Sequence, residues 1–328
     1  MSREPFTEPA QGAQLNTGWA EGAAMLAVEA LELYKRYGKV VALNGLTASI
    51  PAGRVVCILG PNGAGKTTFL HIIATILKPT RGTVRVFGHD VMKEGARVRG
   101  LVGIAFQEPK LFWRFSPEEV LRLHARIHSI RDEGRIEEAL RRLDLWNIRR
   151  RSVEFMSGGE RKKVEIAKVL VQRPKLAIFD EPTTMIDVEG KHFIWDSIRA
   201  MVKEGSSVLV STNEIYEAEV LADEVLLISR GRLIAMAEPR KLKEELVGGD
   251  HVELMLERVP DGRVIEGIRE LSGALSLEVE GRRVFLKVLR YWNSLPFVLQ
   301  YLADKGVRVL EVKVREPTLD DVLARLAK

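Results

Sequence analysis

Apolar positions along the chain change spacing in a regular order. Alternation from Leu26 through Leu31 and Leu33 predicts an edge strand, and Val40, Val41, Leu43, Leu46 and Ile50 predict a second strand. Pro51-Ala52-Gly53 turns the chain into an unbroken apolar run, Val55-Val56-Cys57-Ile58-Leu59, as expected of a strand buried on both faces. Phe69, Leu70, Ile72 and Ile73 then take helical spacing. After a break at Lys78-Pro79-Thr80-Arg81-Gly82, Val84 and Val86 make a short strand ending at Gly88-His89-Asp90. Leu101, Val102, Ile104 and Phe106 lead to Gln107. Ser116-Pro117-Glu118-Glu119 reads as a helix start, with a capping serine, proline in the first turn and acids behind it. Helical spacing continues through Leu121, Leu123 and Ile127, through Ile136, Leu140 and Leu143, and through Val164, Ile166, Ala167 and Leu170 up to Pro174. Leu176-Ala177-Ile178-Phe179 is a buried strand, followed by a helix through Phe193, Ile194 and Ile198 and a strand Val208-Leu209-Val210. Val225-Leu226-Leu227-Ile228 meets a hairpin at Arg230-Gly231 into Leu233-Ile234-Ala235.

Near Gly248-Gly249 the pattern shortens. Val252, Leu254 and Leu256 alternate, and Val264, Ile265, Ile268 and Leu271 are helical. Leu275, Leu277 and Val279 reach a Glu280-Gly281 turn before Val284, Leu286 and Val288. Leu295, Val298, Leu299 and Leu302 are helical again, and Val307 to Val314 is a strand. The order β-α-β-β-α-β is that of a ferredoxin-like unit. A last helix is expected from Thr318 as its cap. Residues before Met25 lack periodicity and are rich in Gly, Ala, Pro and Glu, which predicts a mobile tail. The expected organisation is a tail over 1–26, a first domain over 27–247 with a helical part at about 113–172, and a second domain over 250–328.

A chain of 328 residues is long for one core, in line with two domains. The formal charge of +5, from 50 basic and 45 acidic residues, suits an acidic phospholipid surface weakly and does not demand nucleic acid. Arg149-Arg150-Arg151 is a short basic run of the kind usually found on a solvated face. Cys57 is the only cysteine, so no disulfide forms within one chain. No apolar run is long enough to span a bilayer, and the N-terminus lacks a signal pattern. A cytoplasmic location is expected, with any membrane role exercised through a partner.

The chemistry sits first in Gly60-Pro61-Asn62-Gly63-Ala64-Gly65-Lys66-Thr67-Thr68, between the buried strand and a helix. Glycines let successive N–H groups turn toward one anion, and the helix adds its positive end. In such a loop the lysine, here Lys66, reaches the β- and γ-phosphates, and the hydroxyl of Thr67 sits on Mg²⁺. The motif specifies a nucleoside triphosphate and not how its energy is used. Asp180-Glu181 ends a later strand, and adjacent carboxylates there need a cation. Asp180 is expected to hold Mg²⁺ through its water shell and Glu181 to polarise the attacking water. Met156-Ser157-Gly158-Gly159-Glu160 has capping-box spacing, which explains Ser157 and Glu160 structurally. It does not explain Gly158 and Gly159, which allow close approach by a ligand at the helix mouth. Tyr37 fits turn packing as well as stacking on a base, and Gln107 alone says little.

Taken together, the phosphate loop, the Ser157 turn and the Asp180-Glu181 strand resemble, in that order, the nucleotide-binding domain of ABC transporters, over roughly residues 28–245. The resemblance implies an α/β fold: a phosphate-loop NTPase of ABC type with an antiparallel β-subdomain and a helical subdomain, plus a small ferredoxin-like α/β C-terminal domain. It implies that Tyr37 stacks on adenine, that Gln107 touches Mg²⁺ and senses a membrane partner, that Ser157, Gly158 and Gly159 bind the γ-phosphate of an opposite subunit, and that Asp187 is the D-loop aspartate. Arg315-Glu316-Pro317-Thr318-Leu319-Asp320-Asp321-Val322 is similar to the tail of ATPase subunits from ABC-2-type exporters of the drug-resistance and sodium-extrusion group. The chain departs from the family at Asn213, where a switch histidine is usual. It also departs at Met156 and Glu160, where Leu and Gln are usual, and at Met185-Ile186 before Asp187. Asparagine can hydrogen-bond a γ-phosphate but cannot take up a proton or carry a positive charge.

The resemblance implies an ATP- and Mg²⁺-dependent ATPase working as a head-to-tail homodimer on separate integral membrane permease subunits, peripheral to the inner face of the membrane. Asn213 supports a second reading, an ATP-gated binding or regulatory module with little turnover. A soluble ABC ATPase of DNA repair or translation fits less well, because neither coiled-coil insertions nor tandem ATPase domains are present.

Overall fold

The computed structural model describes residues 25–246, 248–319 and 321. The expected N-terminal tail up to residue 24, and the helix expected beyond Thr318 except for Leu319 and Asp321, lie outside the described residues. The chain divides into two compact units, Met1–Ala237 and Glu238–Lys328.

The first unit runs β1 (Leu26–Tyr37), β2 (Val40–Pro51), β3 (Val55–Leu59), α1 (Lys66–Ile73), β4 (Arg81–Val86), β5 (His89–Asp90), α2 (Gly95–Leu101) and β6 (Val102–Ala105). It continues through α3 (Pro117–Ile127), α4 (Gly134–Arg142), α5 (Gly158–Gln172), β7 (Leu176–Asp180), α6 (Val188–Lys203), β8 (Ser207–Thr212), α7 (Ile215–Leu221), β9 (Glu224–Ser229) and β10 (Arg232–Ala237). Two sheets form. One is antiparallel, in the order β2-β1-β4-β5. The other has the order β10-β9-β3-β8-β7-β6 and is parallel except for β10. Every residue of β3, β7 and β8 is buried, which matches the continuous apolar runs. Because β8 lies between β3 and β7, the loop after β3 and the acids ending β7 emerge at the same carboxyl edge of the sheet. That edge is where open α/β sheets bind ligands.

β1 is not the edge strand that its alternation predicts: it lies between β2 and β4. The register of both pairings shifts between Ala30 or Leu31 and the residues after Glu32, whose φ is +46°. That bulge breaks the period, so Leu33 is buried while Leu31 is 48% exposed. α3 begins as its sequence predicts, with Ser116 and Glu119 in a reciprocal capping box and Pro117 in the first turn.

The second unit holds α8 (Pro239–Leu246), β11 (Asp250–Leu256), α9 (Gly262–Ser272), β12 (Ser276–Glu280), β13 (Arg283–Val288), α10 (Tyr291–Asp304) and β14 (Val309–Arg315). Its antiparallel sheet has the order β12-β13-β11-β14. Val252, Leu254 and Leu256 form the core with Ile268, Val298 and Leu302. This is the β-α-β-β-α-β arrangement expected of a ferredoxin-like unit. Thr318 and Asp321 make the cap hydrogen bonds anticipated at that position.

Candidate active site

The phosphate loop needs glycine for two different reasons. Gly65 has φ +107°, and a Cβ there would sit 2.5 Å from the Ala42 carbonyl oxygen. Gly60 has so close a neighbour that a Cβ would lie 2.2 Å from the Ile228 carbonyl oxygen. The loop is thus wedged between β2 and the end of β9, and side chains are excluded from its inner wall. Ala64 and Asn44 tie it further through backbone hydrogen bonds to Gly231.

Lys66 opens α1 and is 6% exposed. Its ammonium donates to the Gly60 carbonyl at 2.7 Å, to the Pro61 carbonyl at 3.2 Å and to Asn213 Oδ1. Burial lowers its pKa, with Glu181 and Asp180 opposing the shift. Beside it, Thr67 Oγ1 donates to Asp180 Oδ1 at 3.1 Å, and the Ser211 hydroxyl donates to the same oxygen. The other carboxylate oxygen, Oδ2, is buried without a hydrogen-bond partner. An uncompensated carboxylate oxygen next to a threonine hydroxyl suits a hard divalent cation. Among the described residues no cluster of three or more His, Cys, Asp or Glu could hold a metal. The Thr67 hydroxyl and the Asp180 carboxylate fit Mg²⁺, which takes few protein ligands and completes its shell with water and substrate phosphates.

Glu181 follows with φ +45°, a conformation that costs a non-glycine residue energy and commonly marks a functional position. Ser211 holds its backbone: the Glu181 N–H donates to the Ser211 carbonyl at 3.0 Å and to its hydroxyl at 3.1 Å. Its carboxylate accepts from Asn213 Nδ2 at 2.7 Å on one oxygen and from Gln107 Nε2 at 2.9 Å on the other. Asn213 Nδ2 also reaches Asn62 Oδ1 at 2.9 Å. Residues from four separate stretches of chain, Asn62–Thr67, Gln107, Asp180–Glu181 and Asn213, thus meet in one hydrogen-bonded cluster.

The remaining candidates stand outside that hydrogen-bonded cluster, although Gly158 shares a cleft with Gln107. Ser157 caps α5, and no hydrogen bond connects it to the cluster among the described residues. Its N–H donates to Glu160 Oε2 at 2.6 Å, and its hydroxyl accepts from the Glu160 N–H at 3.1 Å. Glu160 also pairs with Arg151. Burial raises its pKa, but the Ser157 N–H and Arg151 outweigh that, and the net shift is downward. Its charge is therefore taken up by the Ser157 N–H and the Arg151 guanidinium. A Cβ on Gly158 would meet nothing within 4 Å, so that face is free. Asp187 caps α6, accepting from the Gly190 N–H at 2.7 Å. Tyr37 ends β1, is 45% exposed, and has the Lys35 ammonium 5.0 Å from its ring centroid. Thr68 continues α1.

Two site residues escape a reading of the sequence. Ser211 looks like an ordinary strand residue, yet it contacts both acids. Lys162 stands in the charged run Glu160-Arg161-Lys162-Lys163, which reads as a solvated face, yet it is 3% exposed. Burial brings its pKa down to about 8, against the pull of Asp180, Glu165, Glu181 and Glu217. Only the spacing of a lysine on a buried helix face could have flagged it.

A parallel sheet with a phosphate loop and paired acids at its carboxyl edge defines a phosphate-loop nucleoside triphosphatase. The ABC transporter family matches residues 43–184. The daunorubicin resistance ATP-binding protein of Streptomyces coeruleorubidus is 35% identical over 295 residues, covering 89% of this chain and 93% of that protein. The Nod factor export ATP-binding protein I of Burkholderia orbicola is 31% identical, covering 89% and 94%. Among solved structures, cbiO1 from Clostridium perfringens, part of the ABC transporter complex cbiONQ, superposes with a TM-score of 0.59 at 30% identity. That match covers 67% of this chain and 91% of cbiO1. The chain belongs to the ABC transporter ATP-binding proteins, ATPases whose hydrolysis is coupled to transport. No helix among the described residues is long and apolar enough to cross a membrane.

Proposed function

We propose that this protein is the ATPase subunit of an ABC-2-type exporter and acts as a head-to-tail homodimer on separate membrane permeases. The observation that carries the proposal is the cluster in which Lys66, Asn213, Glu181 and Gln107 are joined beside Thr67 and Asp180. Lys66 exchanges its contacts with Gly60, Pro61 and Asn213 for the β- and γ-phosphates of ATP. Thr67, Asp180 and Gln107 would hold Mg²⁺, which would neutralise the charge on phosphate oxygens. Glu181 accepts a proton from water as the water oxygen attacks the γ-phosphorus, and the bond to the β-phosphate oxygen breaks. Asn213 places a neutral donor where the γ-phosphate lies.

The Ser157 turn supports a dimer. Its open Gly158 face has no hydrogen bond to the phosphate loop within its own chain, so a second copy is the natural supplier of the triphosphate it covers. Asp187 stands at the start of α6 to contribute at the same interface, and Tyr37 receives the adenine. ATP then closes the pair and hydrolysis releases it.

A permease surface lies beside Gln107. A cleft of about 450 Å³ that includes Gly158 of the Ser157 turn is also lined by Gln107, Pro109, Leu111, Trp113 and Val153. Phe112, Trp113 and Phe155 are 58%, 60% and 72% exposed. Such an aromatic patch suits an apolar partner segment. Docking there places the protein at the inner face of the membrane. The name of one relative, a Nod factor export protein, supports outward transport.

Purified Glu181→Gln is expected to accumulate as a dimer at saturating MgATP, measured by light scattering. A protein that stays monomeric there contradicts the proposal. The low-turnover module, which Asn213 favours, predicts no steady-state ATPase with or without the permease. Activity that disappears in Glu181→Gln excludes it.

A further inference from the structure

α5 carries the Ser157 turn at its start, and one turn further along it sends two buried side chains into the segment holding Gln107. Lys162 donates to the Gln107 carbonyl at 2.6 Å, to the Phe106 carbonyl at 2.9 Å and to the Asp180 carbonyl at 3.2 Å. An ammonium has three N–H donors, so its capacity is filled by main chain alone. Glu165 is 0% exposed and accepts from the Lys110 N–H at 3.0 Å and the Phe106 N–H at 3.4 Å. Lys168 pairs with Glu165 at 2.8 Å. Positions three apart on a helix share a face, so one face of α5 grips residues 106–110 by both carbonyls and N–H groups.

The three carbonyls are not arbitrary. Two bracket the backbone entry to Gln107, and the third belongs to Asp180, whose peptide leads directly into Glu181. Gln107 and Glu181 are themselves joined side chain to side chain at 2.9 Å. We propose that Lys162 is a positioning residue: with Glu165 it fixes the separation of Gln107 and Glu181 and ties both to the helix that bears the Ser157 turn. A shift of that helix is thereby transmitted to the hydrolytic pair without passing through nucleotide. The clamp rests on the reading of Glu181 as base and Gln107 as its neighbour at the γ-phosphate.

The test compares Lys162→Met, Lys162→Arg and Glu165→Gln in the full chain, measuring MgATP turnover, nucleotide Kd with a fluorescent ATP analogue, and the melting temperature. A misplacement of about 1 Å at a reacting centre costs on the order of 100-fold in rate. Lys162→Met is expected to lower kcat on that scale with Kd within about twofold of wild type. Lys162→Arg, which keeps the charge and the donors, is expected to recover part of the loss. Glu165→Gln, which weakens one half of the grip, should lower kcat less. Unchanged kcat in Lys162→Met overturns the proposal. A parallel loss of kcat and nucleotide affinity also overturns it, because a merely structural lysine produces that pattern. If Lys162→Met does not fold, the same split read in Lys162→Arg and Glu165→Gln decides. Glu181→Gln serves as the reference: if it retains wild-type turnover, the reading of the base fails; if it is inactive while Lys162→Met is normal, only the clamp fails.

Discussion

Asn213 donates to Glu181 at 2.7 Å and at the same time accepts the Lys66 ammonium. Asn213 therefore bridges the lysine proposed to bind the γ-phosphate and the carboxylate proposed to polarise its water. Asparagine can hold both, and Asn62 as well, because its amide has two N–H donors and an acceptor oxygen, whereas a neutral imidazole has a single donor. Losing one preorganised donor at a developing charge costs on the order of 100-fold or more in rate. Asn213→Ala should therefore reduce kcat by roughly 100-fold while leaving nucleotide binding close to wild type. Asn213→His should raise turnover if the missing imidazole limits the rate. An unchanged rate in that variant assigns the step to another residue.

Asp180 Oδ2 is buried and unpartnered, although Oδ1 takes two hydroxyls. A carboxylate in that condition is stabilised by a cation. Removing Mg²⁺ with a chelator should abolish hydrolysis and weaken ATP binding only in part, because Lys66 and the loop N–H groups remain. Asp180→Asn should raise the Mg²⁺ concentration needed for half-maximal turnover. If the Mg²⁺ dependence of that variant matches wild type, Asp180 is not a holder of the ion.

The loop after β3 and the acids after β7 were legible because each string states its chemistry locally. The glycines, Lys66 and Thr67 are adjacent in sequence, and so are Asp180 and Glu181. The contacts among them were not legible, since Asn213, Gln107 and Ser211 meet Glu181 only through the strand order β3-β8-β7-β6. Capping at Ser116, Ser157 and Thr318 was readable from three-residue spacing, which is a local property. The short helices α2 and α7 were not singled out, because seven residues hold too few apolar positions to show a period. Alternation shows that β1 has one exposed face and not whether both its edges are paired, so the pairing with β4 could not be read from it, and neither could the bulge at Glu32. Lys162 shows the general limit: one cation in a charged run gains its meaning from the carbonyls opposite, and those lie 56, 55 and 18 residues away in the chain.

Tyr37 lies at the exposed end of β1 with Lys35 over its ring. Stacking of a base on an aromatic ring contributes about 1–3 kcal/mol and tolerates any base. Tyr37→Ala should raise the Kd for ATP by roughly 5- to 150-fold, and Tyr37→Trp should preserve it. Because stacking reads a π-face and not base edges, ATP and GTP should lose affinity by similar factors in Tyr37→Ala. Equal Kd values for Tyr37→Ala and wild type place the base elsewhere.

His124 on α3 offers a pH test that is independent of nucleotide. Its ring lies 4.5 Å from that of His128, centroid to centroid. Burial, then the nearby His128 and Lys168, bring its pKa down to about 4. In the unfolded chain an imidazole titrates near pH 6.5. Between those two values the unfolded chain takes up a proton that the folded chain refuses, so stability falls as pH drops from about 6.5 toward 4 and is fully present above 6.5. Burial also lowers the pKa of His128, which adds a loss of the same sign. Thermal melts at pH 7.5 and pH 5 should therefore show a larger drop in Tm for wild type than for His124→Gln, which has nothing to titrate at that position. Equal drops in the two proteins would mean that protonation of His124 does not oppose folding.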